Sequence, residues 1–137
     1  MKMIEGGVTA AQGFVAGGIH CGVRKNKSKP DLAMIYSEKP CAAAAVYTQN
    51  LVKGAPILVT QKNIADGAAK AVICNSGNAN TCNADGEEKA QAMCDLTAQA
   101  LGIAPQDVVV ASTGVIGQVL PIEPIQAGIP ELVKALS

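Results

Sequence analysis

Residues 70–111 read KAVICNSGNANTCNADGEEKAQAMCDLTAQALGIAPQDVVVA, and the fold class follows from how this stretch divides. Lys70 to Cys74 and Val108 to Ala111 are apolar runs, each short enough to be a buried strand. Between them, Asp85 to Leu101 has the length and spacing of a helix. Asp85 can cap its first turn, Glu88 can reach back as in a capping box, and Gly102 stops it. Met93, Leu96 and Ala100 fall at helical spacing and are expected to face a sheet, leaving Lys89, Asp95 and Gln99 toward water.

Upstream, Gly13 to Val23, Leu32 to Ser37 and Ala42 to Thr48 have strand character and read as an antiparallel meander. Asn26 to Asp31 and Glu38 to Pro40 are the expected connections, too polar and turn-prone to continue a strand. Pro56 to Thr60 is a further apolar run of strand length. Downstream, Pro121 and Pro124 mark a helical turn, Gly128 a stop, and Pro130 the opening of a second helix through Glu131, Leu132 and Leu136. That helix is expected to run straight into Ser137 with no turn or strand after it, so the carboxyl end reads as cut.

The whole is expected to be one folded α/β domain over residues 1–137, since the length suits one core and not two. Apolar residues make up 49% of the chain, with one Phe, two Tyr and no Trp, so small aliphatic side chains must pack closely. Eleven basic residues balance eleven acidic ones, and the single dense basic stretch, Arg24, Lys25, Lys27 and Lys29, reads as a solvated loop. Without a net basic face or stacking aromatics, nucleic acid is not an expected partner. No apolar run approaches the ~20 residues of a membrane span, and the amino terminus, Met1 to Gly7, has no signal-peptide core. A cytoplasmic protein is expected. Cys21, Cys41, Cys74, Cys82 and Cys94 are odd in number and form no C-x-x-C pair, which argues against a disulfide framework and a zinc site. His20 beside Cys21 is not expected to form a nucleophilic pair, because neighbours on a strand point to opposite faces.

Two stretches concentrate chemistry. Asn75-Ser76-Gly77-Asn78-Ala79-Asn80 offers many donors and acceptors around a glycine, and local chemistry alone favours a polar turn rich in side-chain to backbone bonds. Ser112-Thr113-Gly114-Val115-Ile116-Gly117 ends a strand in small polar residues. There a Thr hydroxyl and a Gly amide can aim two donors at one point, as an oxyanion hole requires. The alternative, that both glycines only shape a turn and Thr113 bonds the backbone, is equally open at this level. With one His and no Walker-type loop, the chain is not expected to complete a catalytic site alone.

Together these two segments resemble signature stretches of the ornithine acetyltransferase (glutamate N-acetyltransferase) family. Thr48-Gln49-Asn50-Leu51-Val52-Lys53-Gly54-Ala55-Pro56-Ile57 and the opening Gly6 to Phe14 resemble two more, in the family's order, so the likeness covers nearly the whole chain. The resemblance implies a layered αββα sandwich and a precursor that cleaves itself before a Thr. The resulting α chain pairs with a β chain, and the β chain's new terminal Thr takes acetyl from N-acetylornithine and passes it to glutamate in arginine biosynthesis. It implies no resident cofactor, acetyl-CoA as an additional donor in some members, and an α2β2 heterotetramer. By position, the oxyanion pair falls on the Thr113 hydroxyl and the Gly114 amide, while Asn75 to Asn80 are implied only to support the site and pack against the β chain. The cleavage motif, the nucleophile and most substrate contacts of the family fall beyond residue 137, so a fragment, a second nick or a missing companion chain is expected. Two other readings stand beside this one: a related self-processing aminopeptidase, which would hydrolyse amides, and a non-catalytic module.

Overall fold

The computed structural model describes residues 3–137, so Met1 and Lys2, part of the amino-terminal stretch read above, lie outside the described residues. Seven main elements follow in the order β1 (Phe14–Ile19), β2 (Leu32–Ala42), α1 (Ala55–Asn63), β3 (Ala68–Asn78), α2 (Gly86–Leu101), β4 (Val108–Val115) and α3 (Ile122–Lys134). The four strands form one sheet in the order β1-β2-β3-β4. β1 and β3 each run antiparallel to β2, whereas β3 and β4 are parallel. A parallel pair needs a long crossover, and α2 provides it.

The period of two along the strands sorts side chains onto two faces. Leu32 and Met34 of β2, Ala71 and Ile73 of β3, and Val108 and Val110 of β4 are buried against one helical layer. That layer contributes Val59 of α1, Met93 and Cys94 of α2, and Ile125, Ile129 and Leu132 of α3. The alternate residues Ala33, Ile35, Val72, Cys74 and Val109 are only half-buried. A layered combination of helices and strands is as expected. Within the described residues the chain supplies one sheet and one helical layer, two of the four layers of an αββα sandwich.

Several local expectations are corrected. Pro56 to Thr60 lies in α1, with Pro56 in the first turn, where its missing N–H costs nothing; a short apolar run does not separate strand from helix. Glu38 to Pro40 does not end a strand: β2 runs on to Ala42 across an irregularity in register between Tyr36 and Cys41. A bulge of this kind tolerates a proline. Ala42 to Thr48 is no separate strand, because beyond Ala42, which pairs with Ala68, it has no neighbouring strand. β1 is shorter than Gly13 to Val23 because residues 20–24 turn around Asp31.

α2 begins after Asp85, whose side chain makes no capping bond, and ends at Gly102 with φ +67°. Its buried stripe is Ala90, Met93, Cys94, Thr97 and Ala98, with Leu96 half-buried and Ala100 exposed. Met93 is buried as expected, while Thr97 takes the buried place expected of Leu96. The two short helices expected around Gly128 and Pro130 are one, α3, which runs through both residues. It does not continue into Ser137. Ala135 caps it, and Ser137 exchanges two backbone hydrogen bonds with Ala16 on the outer edge of β1, at 3.1 and 3.2 Å.

Gly128 is not a stop but a close-packing position. A Cβ there would lie 2.7 Å from Cys21 Cβ and 3.1 Å from Ile19 Cδ1. Ala is the better helix former by ~1 kcal/mol, yet overpacking costs ~1 to 3 kcal/mol. Gly128→Ala is therefore expected to lower the thermal midpoint by several degrees, and a rise on a melting curve would contradict the packing.

Candidate active site

The carboxyl ends of the parallel pair β3 and β4 bring the two chemistry-bearing stretches side by side. Ser76 is registered with Thr113 and Gly77 with Gly114, after which the ladder slips so that Asn78 faces both Thr113 and Val115. The two glycines make the approach. Gly114 has φ +136° and Gly77 φ +108°, and a Cβ on Gly114 would sit 2.3 Å from the Gly77 carbonyl carbon. No other residue type fits a backbone so bent and so close.

Strand alternation puts Thr113 on the sheet face away from the helices, with Ala111, Cys74 and Ala33. There it borders a cavity of about 200 Å³ that Asp31, Cys74, Ser76 and Ser112 also line. Thr113 is exposed, and among the described residues no hydrogen bond holds its hydroxyl. The alternative in which Thr113 bonds the backbone is therefore not what the structure contains. Gly117, by contrast, does shape a turn, with φ +77° and its amide bonded to the Thr81 carbonyl at 3.0 Å.

The Asn-rich stretch is a scaffold. Asn75 Nδ2 donates to the Asn78 carbonyl at 3.0 Å, and Asn78 Nδ2 donates to the Gln118 and Val119 carbonyls at 2.9 and 3.2 Å. Asn78 Oδ1 accepts the Asn80 amide at 2.8 Å. Asn80 in turn donates from Nδ2 to the Gly86 carbonyl at the start of α2, and its own carbonyl accepts the Ala55 amide at the start of α1. Asn80 takes φ +47°, a left-handed conformation that Asn tolerates better than most residues. The segment thus ties β3 to both helix starts and to the loop after β4. Removing the buried Asn78 amide leaves carbonyls unpaired at ~1 to 3 kcal/mol. Asn78→Ala is expected to lower stability by that amount in denaturant titration, and an unchanged midpoint would refute the scaffold role.

A residue that sequence reasoning missed lines the same cavity. The Asp31 side chain is fully buried, and Oδ1 accepts the Cys21 amide at 2.7 Å. Oδ2 accepts the amides of Arg24 and Gly22 at 2.8 and 3.1 Å. Burial by itself would raise its pKa, but the amides of Arg24, Cys21 and Gly22 outweigh it and hold the carboxyl below its ordinary range. In the sequence, Asp31 is one more polar residue at the end of a turn. Its amide partners are backbone groups, which leave no trace in residue identity.

Burial disfavours the thiolate of Cys21, Cys74 and Cys94. Burial pushes the Cys21 thiol up to about 11, Asp31 adding to the effect, and raises the Cys94 thiol to about 12. His20 Nδ1 lies 3.3 Å from Asp31 Oδ2 and from the Lys29 carbonyl, so its nearest polar partners are oxygens. All five cysteines are free, and among the described residues no group of His, Cys, Asp and Glu could hold a metal ion. Also among these residues, no helix is long and apolar enough to cross a membrane. Arg24, Lys25, Lys27 and Lys29 are exposed, as a solvated loop should be.

Comparison with known proteins places this geometry in a family context. The model of the ArgJ family matches residues 15–137. A protein of Symbiobacterium thermophilum named arginine biosynthesis bifunctional protein ArgJ is 48% identical over all of this chain and 35% of its own length. One of the same name from Gloeobacter violaceus is 52% identical over 98% of this chain and 33% of its own length. The chain thus spans about a third of these relatives. Among solved structures, arginine biosynthesis bifunctional protein ArgJ from Bacillus halodurans superposes with a TM-score of 0.87 at 45% identity, over 92% of this chain and 66% of that one. Ornithine acetyltransferase from Mycobacterium tuberculosis, complexed with ornithine, superposes with a TM-score of 0.90 at 39% identity, over 95% and 70%.

Proposed function

Because the chain belongs to the ArgJ family, we propose that it is the α-chain part of a glutamate N-acetyltransferase of arginine biosynthesis, supplying the oxyanion hole for a Thr nucleophile carried by a companion β chain. One observation carries the reading: an exposed Thr113 hydroxyl without an internal partner, beside the Gly114 backbone at the end of a rigid parallel strand pair. Acyl transfer needs this arrangement. When the Thr oxygen adds to the acetyl carbonyl of N-acetylornithine, the carbonyl oxygen becomes an anion, which the Thr113 O–H and Gly114 N–H stabilise. Collapse expels the ornithine amine, protonated by the base that took the Thr proton, and leaves acetyl-threonine. The glutamate amine then attacks the carbonyl of acetyl-threonine, a second oxyanion forms against the same two donors, and its collapse breaks the Thr ester bond, releases N-acetylglutamate and returns the proton to the Thr oxygen.

The half-buried apolar face of Ala33, Ile35, Val72 and Val109 is where the companion sheet would pack, completing an αββα sandwich. An α2β2 assembly, a cytoplasmic location and the absence of a resident cofactor and of nucleic acid among the partners belong to the same proposal. The relatives' name, bifunctional, supports acetyl-CoA as a second donor substrate. The test is coexpression of this chain with the segment that follows it in full-length relatives, then a transfer assay with N-acetylornithine and glutamate. Activity of the complex, with a copurifying chain beginning in Thr, is the expected result. Amide hydrolysis without transfer to glutamate would favour the aminopeptidase reading instead. A folded complex inert in both assays would favour the non-catalytic module.

A further inference from the structure

Asp31 is the one charged side chain that the described residues bury completely. An interior carboxylate is costly unless its lone pairs are satisfied, and here three backbone amides satisfy it. A turn between antiparallel strands needs no such anchor; two residues can make one. What the anchor does is hold residues 21–24 in a single conformation, and that segment lies on Gly77. A Cβ at Gly77 would meet Arg24 Cγ at 2.7 Å and Val23 Cγ1 at 3.4 Å. On its other side Gly77 abuts Gly114, where an added Cβ would run into the Gly77 carbonyl carbon. Asp31 also reaches the same strand directly, since its carbonyl accepts the Ser76 amide at 2.8 Å.

We propose that Asp31 is a positioning residue for the Thr113 and Gly114 donors, acting through residues 21–24 and Gly77 on the backbone of Gly114. This rests on the acetyl-transfer reading above. The carboxylate fixes the loop from within, the loop covers Gly77, and Gly77 leaves Gly114 one place to be. Asp31 touches no reacting atom in this scheme. Its effect is on where the donors stand, and a misplacement of about 1 Å can cost ~100-fold in rate.

Asp31→Asn keeps the shape but loses the charge and presents an N–H₂ group to amide donors. In the complete, cleaved enzyme the variant is expected to slow both half-reactions, acetylation by N-acetylornithine and deacetylation by glutamate, by one common factor of ~10 to 100. Each passes through an oxyanion held by the same two donors, so a common factor marks the donors. KM for each substrate should move by less than about threefold, and the burst of acetyl-enzyme should keep its full amplitude, because binding and the number of competent sites are untouched. Unaltered rate constants would overturn the proposal, as would a reduced burst amplitude with normal rate constants, which marks a folding defect. If the Asn variant does not accumulate as folded enzyme, Asp31→Glu keeps the charge and displaces it by one methylene. A common slowing of severalfold is then expected, and normal rates would overturn the proposal. Should the unaltered enzyme transfer no acetyl group at all, the failure would lie with the acetyltransferase reading and not with this one.

Discussion

Thr113→Ala is expected to reduce acetyl transfer by the complete enzyme ~100 to 1,000-fold, the usual consequence of deleting one oxyanion donor. The fold should survive. Thr113 is exposed and, among the described residues, its hydroxyl has no hydrogen-bond partner, so truncation removes little packing and leaves nothing unpaired. Surface changes of this kind stay within ~0.5 kcal/mol. The loss should appear in kcat more than in KM, since the donor acts on charge that develops only in the transition state. Thr113→Ser, which keeps the hydroxyl, should retain most of the rate. Transfer kinetics and a melting curve on the same samples decide the matter: near-normal activity of the Ala variant would remove Thr113 from the oxyanion hole.

Gly114→Ala should fail differently, by damaging the scaffold and the site together. The methyl would have to occupy space 2.3 Å from the Gly77 carbonyl carbon and 2.5 Å from the Asn78 nitrogen, all of it rigid backbone. The φ of +136° adds strain for any residue with a side chain. Neither can be relieved without parting β3 from β4, whose pairing carries the core residues Ile73 and Val110. A loss of ~3 kcal/mol or more is expected, on the order of 10 °C in thermal midpoint for a domain of this size. Activity should fall with it. A variant that melts normally would show that the two glycines do not press on each other as the structure has them.

The contrast between these two substitutions bears on what the residues themselves reveal. That Thr113 and Gly114 end a strand is legible, because Val108 to Ala111 precede them and small polar residues follow. That Gly114 must be glycine is not, since the reason is Gly77, whose placement depends on a strand pairing that neither stretch specifies locally. The Asn-rich segment likewise looks like a self-contained polar turn, yet its amides reach Gln118 and Val119 across the chain. A hydrogen bond to a carbonyl has no residue identity, so long-range bonds of this type escape pattern reading.

Helix and strand boundaries divide along the same line. α2 was legible because its length, its acidic first turn and Gly102 agree with one another. α1 is not, because a short apolar run does not separate strand from helix, and α3 is legible only in two pieces, because Pro130 can open a helix or lie within one and only packing decides. Gly128 sits inside α3 because Cys21 and Ile19 leave room for nothing larger.

By itself the sequence determined that this is a layered α+β domain of small aliphatic side chains, with a Thr-Gly pair at the end of a buried strand. Those features rest on local periodicity and on composition, which residue identity carries directly. Only the tertiary structure decided that Ser76 and Gly77 stand beside Thr113 and Gly114, and that the buried carboxylate of Asp31 binds the amides of the loop that lies against Gly77. Both depend on backbone groups meeting across long separations in sequence, and backbone groups are the same in every residue.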